Sequence, residues 1–215
     1  MEINAVRIGI VGDSGVGKSS LAHFLCNGSE LKQPSWTVGC TTQVLMYQEN
    51  TFVEFIDVGG HPRYELSRAA FYHGFHGCYY VVYMTDKDIG LVFVYDQSNR
   101  RSYNNLKKWI AEITAAQKAR GDVFADSRYQ TLQQFPTLVV GNKHDLVTPK
   151  TKRMNPLQDF KMECVDASAK ACTIDWMRFN VFLDRVIATV HMPNPVNTSV
   201  SSSTNRQQVS KTSWW

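Results

Sequence analysis

The sequence predicts an α/β fold, a mostly parallel six-stranded sheet with helices on both faces. Three observations predict it. Nearly all-apolar runs, among them RIGIV at 7–11, GLVFVY at 90–95 and TLVV at 137–140, alternate with stretches of helical periodicity. Strands buried on both faces read in this way. The first run enters a glycine-rich turn that passes directly into a helical stretch. Polar clusters then stand immediately after several of the apolar runs, and in such sheets ligands gather beyond the carboxyl ends of the strands.

The elements follow in order. Residues 7–11 form the first strand, 12–20 (GDSGVGKSS) the turn, and 20–26 the first helix. A polar loop through Pro34 and Trp36 precedes two strands, 42–48 and 51–57, joined by a turn at Glu49 and Asn50. Residues 65–73 fit a short helix and 90–95 a buried strand. Residues 102–118 are an amphipathic helix with Leu106, Trp109, Ile110 and Ile113 on one face. Strands at 137–140 and 164–165 and a closing helix at 179–190 complete the sheet and its cover. Trp109 and Trp176 stand among apolar neighbours and are expected in the core.

Composition narrows the class. The 215 residues suit one domain with a tail, long enough to bury a core without staples. The net charge of +4 comes without a long Lys/Arg run, so nucleic acid is not an expected partner. Five scattered cysteines without a CxxC pair suggest neither zinc nor a disulfide framework, but reduced thiols in a cytoplasmic protein. No signal peptide is read at the N-terminus and no apolar run is long enough to span a bilayer. From Pro193 the chain turns Ser/Thr/Asn-rich and ends in Trp214-Trp215, so residues 193–215 are expected to be a disordered tail.

Four motifs carry chemistry. Gly12-x-x-x-x-Gly17-Lys18-Ser19 has the spacing of a phosphate-binding P-loop. Its backbone, through Gly12, Asp13, Ser14, Gly15, Val16 and Gly17, would aim N–H groups at phosphate oxygens. Lys18 would reach the β and γ phosphates, Ser19 would bind Mg²⁺, and Ser20 opens the helix whose N-terminus attracts anions. Asn142-Lys143-x-Asp145 chooses the base. The Asp145 carboxylate can accept from guanine N1–H and its exocyclic amine, a donor pair that adenine lacks. Asn142 would brace the loops, and the Lys143 stem would cover the base. In Asp57-Val58-Gly59-Gly60, Asp57 would hold Mg²⁺ through water and Gly60 would admit the γ-phosphate. Ser168-Ala169-Lys170 would offer backbone N–H groups to the guanine carbonyl. Thr37, with Thr41 and Thr42 as rivals, suits a loop threonine that meets Mg²⁺ and the γ-phosphate only with GTP bound. The scattered His23, His73, His76 and His144 show no metal spacing.

GDSGVGKSS, DVGG, NKHD and SAK, in this order, make residues 4–192 resemble a Ras-superfamily small GTPase, a P-loop NTPase with a Ras-like G domain. Arg63-Tyr64, Phe71-Tyr72 and VYDQSNRRSYNNLKKW are similar to the Rab branch, and PSWTVGC with DVGG to the Rab-like protein 3 group and its plant relatives. The resemblance implies a switch cycling between GTP and GDP, with an exchange factor and an activating protein as partners. It implies that Thr37 is the switch I threonine and that 57–72 is switch II. It also implies the catalytic set Lys18, Thr37, Gly60 and the residue after Gly60.

The departures set further expectations. Family members usually carry glutamine after the DxxG glycine to orient the attacking water; here His61 stands there, so slow hydrolysis is expected. The last cysteine is Cys172 and the second residue is Glu2, so neither prenylation nor myristoylation is expected. Membrane attachment would come through partners, and a homodimer is one admissible partner state. Residues 78–89 interrupt the pattern, because joining Gly77 to Leu91 reads smoothly. They are an extra edge strand, a surface loop or retained non-coding sequence. Residues 79–84 and 91–95 compete for one sheet position, and the latter is preferred because it leads directly into the 102–118 helix. Residues 121–135 read as an expanded surface loop. A cycling GTPase, a non-cycling GTP-bound adaptor and a P-loop ATPase or kinase are the rival functions, and Asn142 with Asp145 argues against the last.

Overall fold

Alternate residues of the central parallel strands are buried on opposite faces of one sheet. In the computed structural model, which describes residues 4–72, 89–118, 136–149, 151 and 154–190, the sheet has seven strands. They are β1 (Asn4–Val11), β2 (Cys40–Gln48), β3 (Thr51–Val58), β4 (Ile89–Asp96), β5 (Thr137–Asn142), β6 (Cys164–Ser168) and β7 (Thr173–Ile174). Their order is β2-β3-β1-β4-β5-β6-β7. β3, β1, β4, β5 and β6 run parallel, while β2 pairs antiparallel with β3, and β7 with β6. The β2–β3 turn places Asn50 at φ 64, a left-handed position that asparagine tolerates.

The helices are α1 (Lys18–Asn27), α2 (Glu65–Tyr72), α3 (Arg100–Lys118), α4 (Pro156–Phe160) and α5 (Trp176–Val190). Val6, Ile8, Ile10, Val53, Phe55, Val92, Val94, Leu138 and Val140 share one core with α1 and α5, through Leu21, Phe24, Phe179, Phe182 and Val186. The intervening Ile56, Val58, Leu91, Phe93, Tyr95 and Val139 share the other with Tyr103, Leu106, Trp109 and Ile110 of α3. Period two on the strands and 3.6 on the helices thus give two apolar layers, one on each side of the sheet.

The six-strand expectation is met with one addition. β7 is two residues long and is made when Cys172, at φ 55, turns the chain back on β6. β4 takes the sheet position expected of 91–95, with Arg7 opposite Ile89 and Ile8 opposite Gly90. Residues 78–88 of the insert, the 121–135 expansion and the 193–215 tail lie outside the described residues. Trp109 is in the core, at 4% exposure, but Trp176 is not, at 43%. Trp176 opens α5 and lies against the rings of Phe24 and Phe179 with much of its surface in solvent. α4 was not anticipated, because five residues are too few to show a helical period; it is capped by Asn155, which accepts from the Gln158 N–H at 3.2 Å.

Candidate functional site

The parallel strands all end at one edge of the sheet. β1 delivers Gly12, β3 delivers Gly59 and Gly60, β5 ends at Asn142 and β6 at Ser168. Four motifs spread over more than 150 positions of sequence are therefore gathered by the parallel pairing of the strands that carry them.

The glycine-rich loop curls around Lys18. Its Nζ donates to Gly12 O at 2.9 Å and to Asp13 O at 3.0 Å. Burial pulls its pKa down from the ordinary lysine value to about 8, while the carboxylates of Asp57 and Asp13 pull the other way. Gly17, at φ 92, caps α1 without a side-chain hydrogen bond, and the first turn of α1 holds no acidic residue. The N–H groups at that helix end thus face no carboxylate of their own helix. A Cβ on Gly17 would lie 2.4 Å from Asn142 Nδ2. One on Gly60 would lie 2.3 Å from Gly12 O and 2.6 Å from Lys18 Nζ. Only glycine lets these segments approach so closely. Ser14 and Gly15 form the exposed tip of the loop, and the Val16 side chain enters the core.

Three oxygens converge beside the lysine. Ser19 Oγ donates to Asp57 Oδ2 at 2.5 Å, Thr37 Oγ1 donates to the same oxygen at 3.0 Å, and the two hydroxyls are 3.0 Å apart. Thr37, not Thr41 or Thr42, joins this group; Thr41 and Thr42 lie in β2. Asp57 is fully buried, and its Oδ1 has no hydrogen-bond partner among the described residues. A buried carboxylate oxygen left so is costly unless a cation or its water meets it. Hard oxygen donors of this kind suit Mg²⁺.

Asn142 ties three loops together at 1% exposure. Its Nδ2 donates to Val16 O at 2.9 Å and Gly17 O at 3.4 Å, and its Oδ1 accepts from the Ala169 N–H at 3.1 Å. That N–H, expected to meet a base carbonyl, is thus engaged by Asn142. Lys143, at φ 61, pairs its Nζ with Asp96 Oδ2 at 2.9 Å. Burial opposes the charge on Asp96, but hydrogen bonds from Ser98 and Lys143 prevail and lower its pKa. Asp145 is exposed, and Oδ1 accepts from Ser168 Oγ at 2.5 Å. The Ser168 hydroxyl also accepts from the Ala171 N–H at 3.0 Å, which orders the turn that carries exposed Lys170.

Sequence reasoning missed a second layer. The Asp13 side chain leaves the loop for α3, where Trp109 Nε1 donates to Oδ1 at 2.9 Å and Asn105 Nδ2 to Oδ2 at 2.6 Å. The Arg68 guanidinium lies 4.5 Å from the Trp109 ring centre, makes a forked pair with Glu112 at 3.1 and 3.2 Å, and donates to His61 O at 2.8 Å. The His61 ring stacks on Trp36. An arginine that meets a glutamate 44 positions away gives no spacing signal, so nothing in the sequence announced these contacts.

A glycine loop closed over a lysine, a convergent set of hard oxygens and a carboxylate-bearing loop on the same sheet edge define a nucleotide-binding P-loop α/β domain. The family model described as the Ras family matches residues 7–182, and the chain belongs to that family. It is 32% identical to Rab-like protein 3 of Xenopus tropicalis over 190 residues, covering 80% of this chain and 75% of that protein. Against Rab-like protein 3 of Homo sapiens the identity is 31% over 222 residues, covering 86% and 85%. The small GTPase-like protein LIP2 of Arabidopsis thaliana is 34% identical over 157 residues, covering 66% of this chain and 43% of that protein. No helix among the described residues is long and apolar enough to cross a membrane.

Proposed function

We propose that the protein binds GTP and GDP with Mg²⁺ and acts as a molecular switch with slow GTP hydrolysis, in intracellular signalling or protein transport. The observation that carries this reading is the meeting of Ser19, Thr37 and Asp57 around a buried carboxylate oxygen that lacks a protein partner. Ser19 and Thr37 would hold the metal directly, and Asp57 would hold it through water. When bound, the metal supplies positive charge beside the phosphates. Thr37 belongs to a loop that is otherwise exposed from Lys32 to Trp36. Its engagement at this point is what a ligand-dependent loop requires.

The chain's own groups divide the remaining work. Gly12 to Gly17 and the start of α1 would bind phosphate oxygens through backbone N–H groups. Lys18 would exchange its two carbonyl partners for phosphate oxygens and regain its proton affinity. Gly60 would let the switch II backbone meet the γ-phosphate. Asp145 would accept from guanine, with Asn142, Lys143, Ser168, Ala169 and Lys170 shaping the base pocket. His61 replaces the residue that orients water, which is the reason to expect slow turnover. An exchange factor and an activating protein are the partners this cycle requires; the protein would work in the cytoplasm and reach membranes through partners.

A non-cycling, GTP-bound adaptor is the second reading, favoured by the imidazole of His61 being held by its neighbours. The nucleotide carried by the purified protein, released by denaturation and resolved by chromatography, separates the two. GDP is expected from a cycling switch and GTP from an adaptor. Adenine nucleotide would overturn the guanine reading.

A further inference from the structure

His61 is fixed on several sides. The Arg63 backbone N–H donates to its Nδ1 at 3.1 Å. A ring nitrogen that accepts carries no proton, so the neutral imidazole bears its proton on Nε2. The Trp36 indole stacks on the ring, with centroids 5.8 Å apart and planes 23° apart. Tyr64 meets it edge-on at 6.0 Å and 62°. Arg68 holds the carbonyl of the same residue at 2.8 Å. Trp36 is itself 81% exposed and immediately precedes Thr37, whose hydroxyl reaches Asp57. The stack therefore joins the loop that reaches the Mg²⁺ position to the residue that follows Gly60.

This arrangement decides what the histidine can do. In hydrolysis a water oxygen bonds to the γ-phosphorus, the bond from that phosphorus to the β–γ bridging oxygen breaks, and the products are GDP and inorganic phosphate. The water's proton passes to phosphate or solvent. A side chain that orients the water for attack accepts one of its hydrogens. With Nδ1 occupied and Nε2 protonated, His61 can only donate.

We propose that Trp36 is a positioning residue that, by stacking on His61, holds the imidazole in this donor-only orientation and so restrains hydrolysis. The inference rests on the reading of the site as a GTP hydrolase. It goes beyond the replacement of glutamine, because it assigns part of the slowness to switch I rather than to the identity of residue 61 alone.

The test is single-turnover hydrolysis by the full chain loaded with GTP and Mg²⁺, with the dissociation rate of fluorescent GDP measured alongside. The variants are Trp36→Ala, Trp36→Phe, His61→Gln and the double variant Trp36→Ala/His61→Gln. Trp36→Ala is expected to raise the hydrolysis rate about threefold to tenfold while GDP dissociation changes less than about twofold. Trp36→Phe retains an aromatic face and is expected to stay near the wild-type rate. In the His61→Gln background, Trp36→Ala is expected to have no further effect. An unchanged or lower rate in Trp36→Ala overturns the proposal. So does an equal change in both backgrounds, which would mean that Trp36 acts through switch I in general. Bound GTP that no variant hydrolyses, His61→Gln included, overturns the hydrolase reading and this proposal together.

Discussion

Removing the Asn142 carboxamide tests the link between the loops most directly. In Asn142→Ala the Val16 carbonyl and the Ala169 N–H lose partners at 2.9 and 3.1 Å, at a position 1% exposed, where water does not replace them readily. Each buried group left unpaired costs about 1–3 kcal/mol. The two together, which share one side chain and do not simply add, put the loss at about 3 kcal/mol. For a domain of this size that lowers Tm by about 6–12 °C. The cost falls on the nucleotide-free protein, because the bonds are made within the chain. Thermal unfolding of nucleotide-free protein is the first assay, and fluorescent GDP release the second. The P-loop and the Ala169 turn move apart once unlinked, so release is expected to quicken by at least about tenfold, equivalent to about 1.4 kcal/mol. Asn142→Asp retains an acceptor for Ala169 but sets a buried carboxylate oxygen against the Val16 and Gly17 carbonyls, and should be no more stable than Asn142→Ala. A nucleotide-free Tm within about 2 °C of wild type would refute the reasoning.

Other outcomes follow from the same geometry. Lys18 has a pKa of about 8, and phosphates would raise it, so binding is strongest where the free protein already carries that proton. GDP affinity should be flat below about pH 7, begin to fall as pH approaches 8, and weaken by about tenfold between pH 8 and 9.5; a flat profile across that range would contradict the burial argument. Arg68→Ala removes the fork to Glu112, the bond to His61 O and the cover over Trp109. Because Glu112 retains some contact with water, a loss of about 2–4 kcal/mol is expected in denaturant unfolding, with Arg68→Lys recovering only part of it. In Asp57→Asn, chelation of Mg²⁺ should no longer accelerate GDP release; acceleration equal to wild type would remove Asp57 from the metal site.

The sequence by itself determined the nucleotide class and much of the architecture. The P-loop is a local structure: residues 12–19 fix glycine, lysine and serine at short covalent spacing, so their chemistry could be read before any fold. The apolar runs announced the parallel strands because burial on both faces demands them, and the polar residues after each run marked the edge at which the four motifs gather. The positions of the Asn142–Asp145 loop and of Asp57 at the ends of their strands were legible for the same reason. Tertiary structure alone decided what links these pieces. Asn142 meets Val16 across 126 positions, Trp109 meets Asp13 across 96 and Arg68 meets Glu112 across 44. Such pairs leave no periodicity, because their geometry depends on how helices settle on the sheet. Trp176 was misread because a helix's first residue can extend past the core even with apolar neighbours, and β7 because a turn with one left-handed residue creates it. Trp36 and His61 lie on separate loops, and only the approach of those loops at the sheet edge brought the two rings into contact.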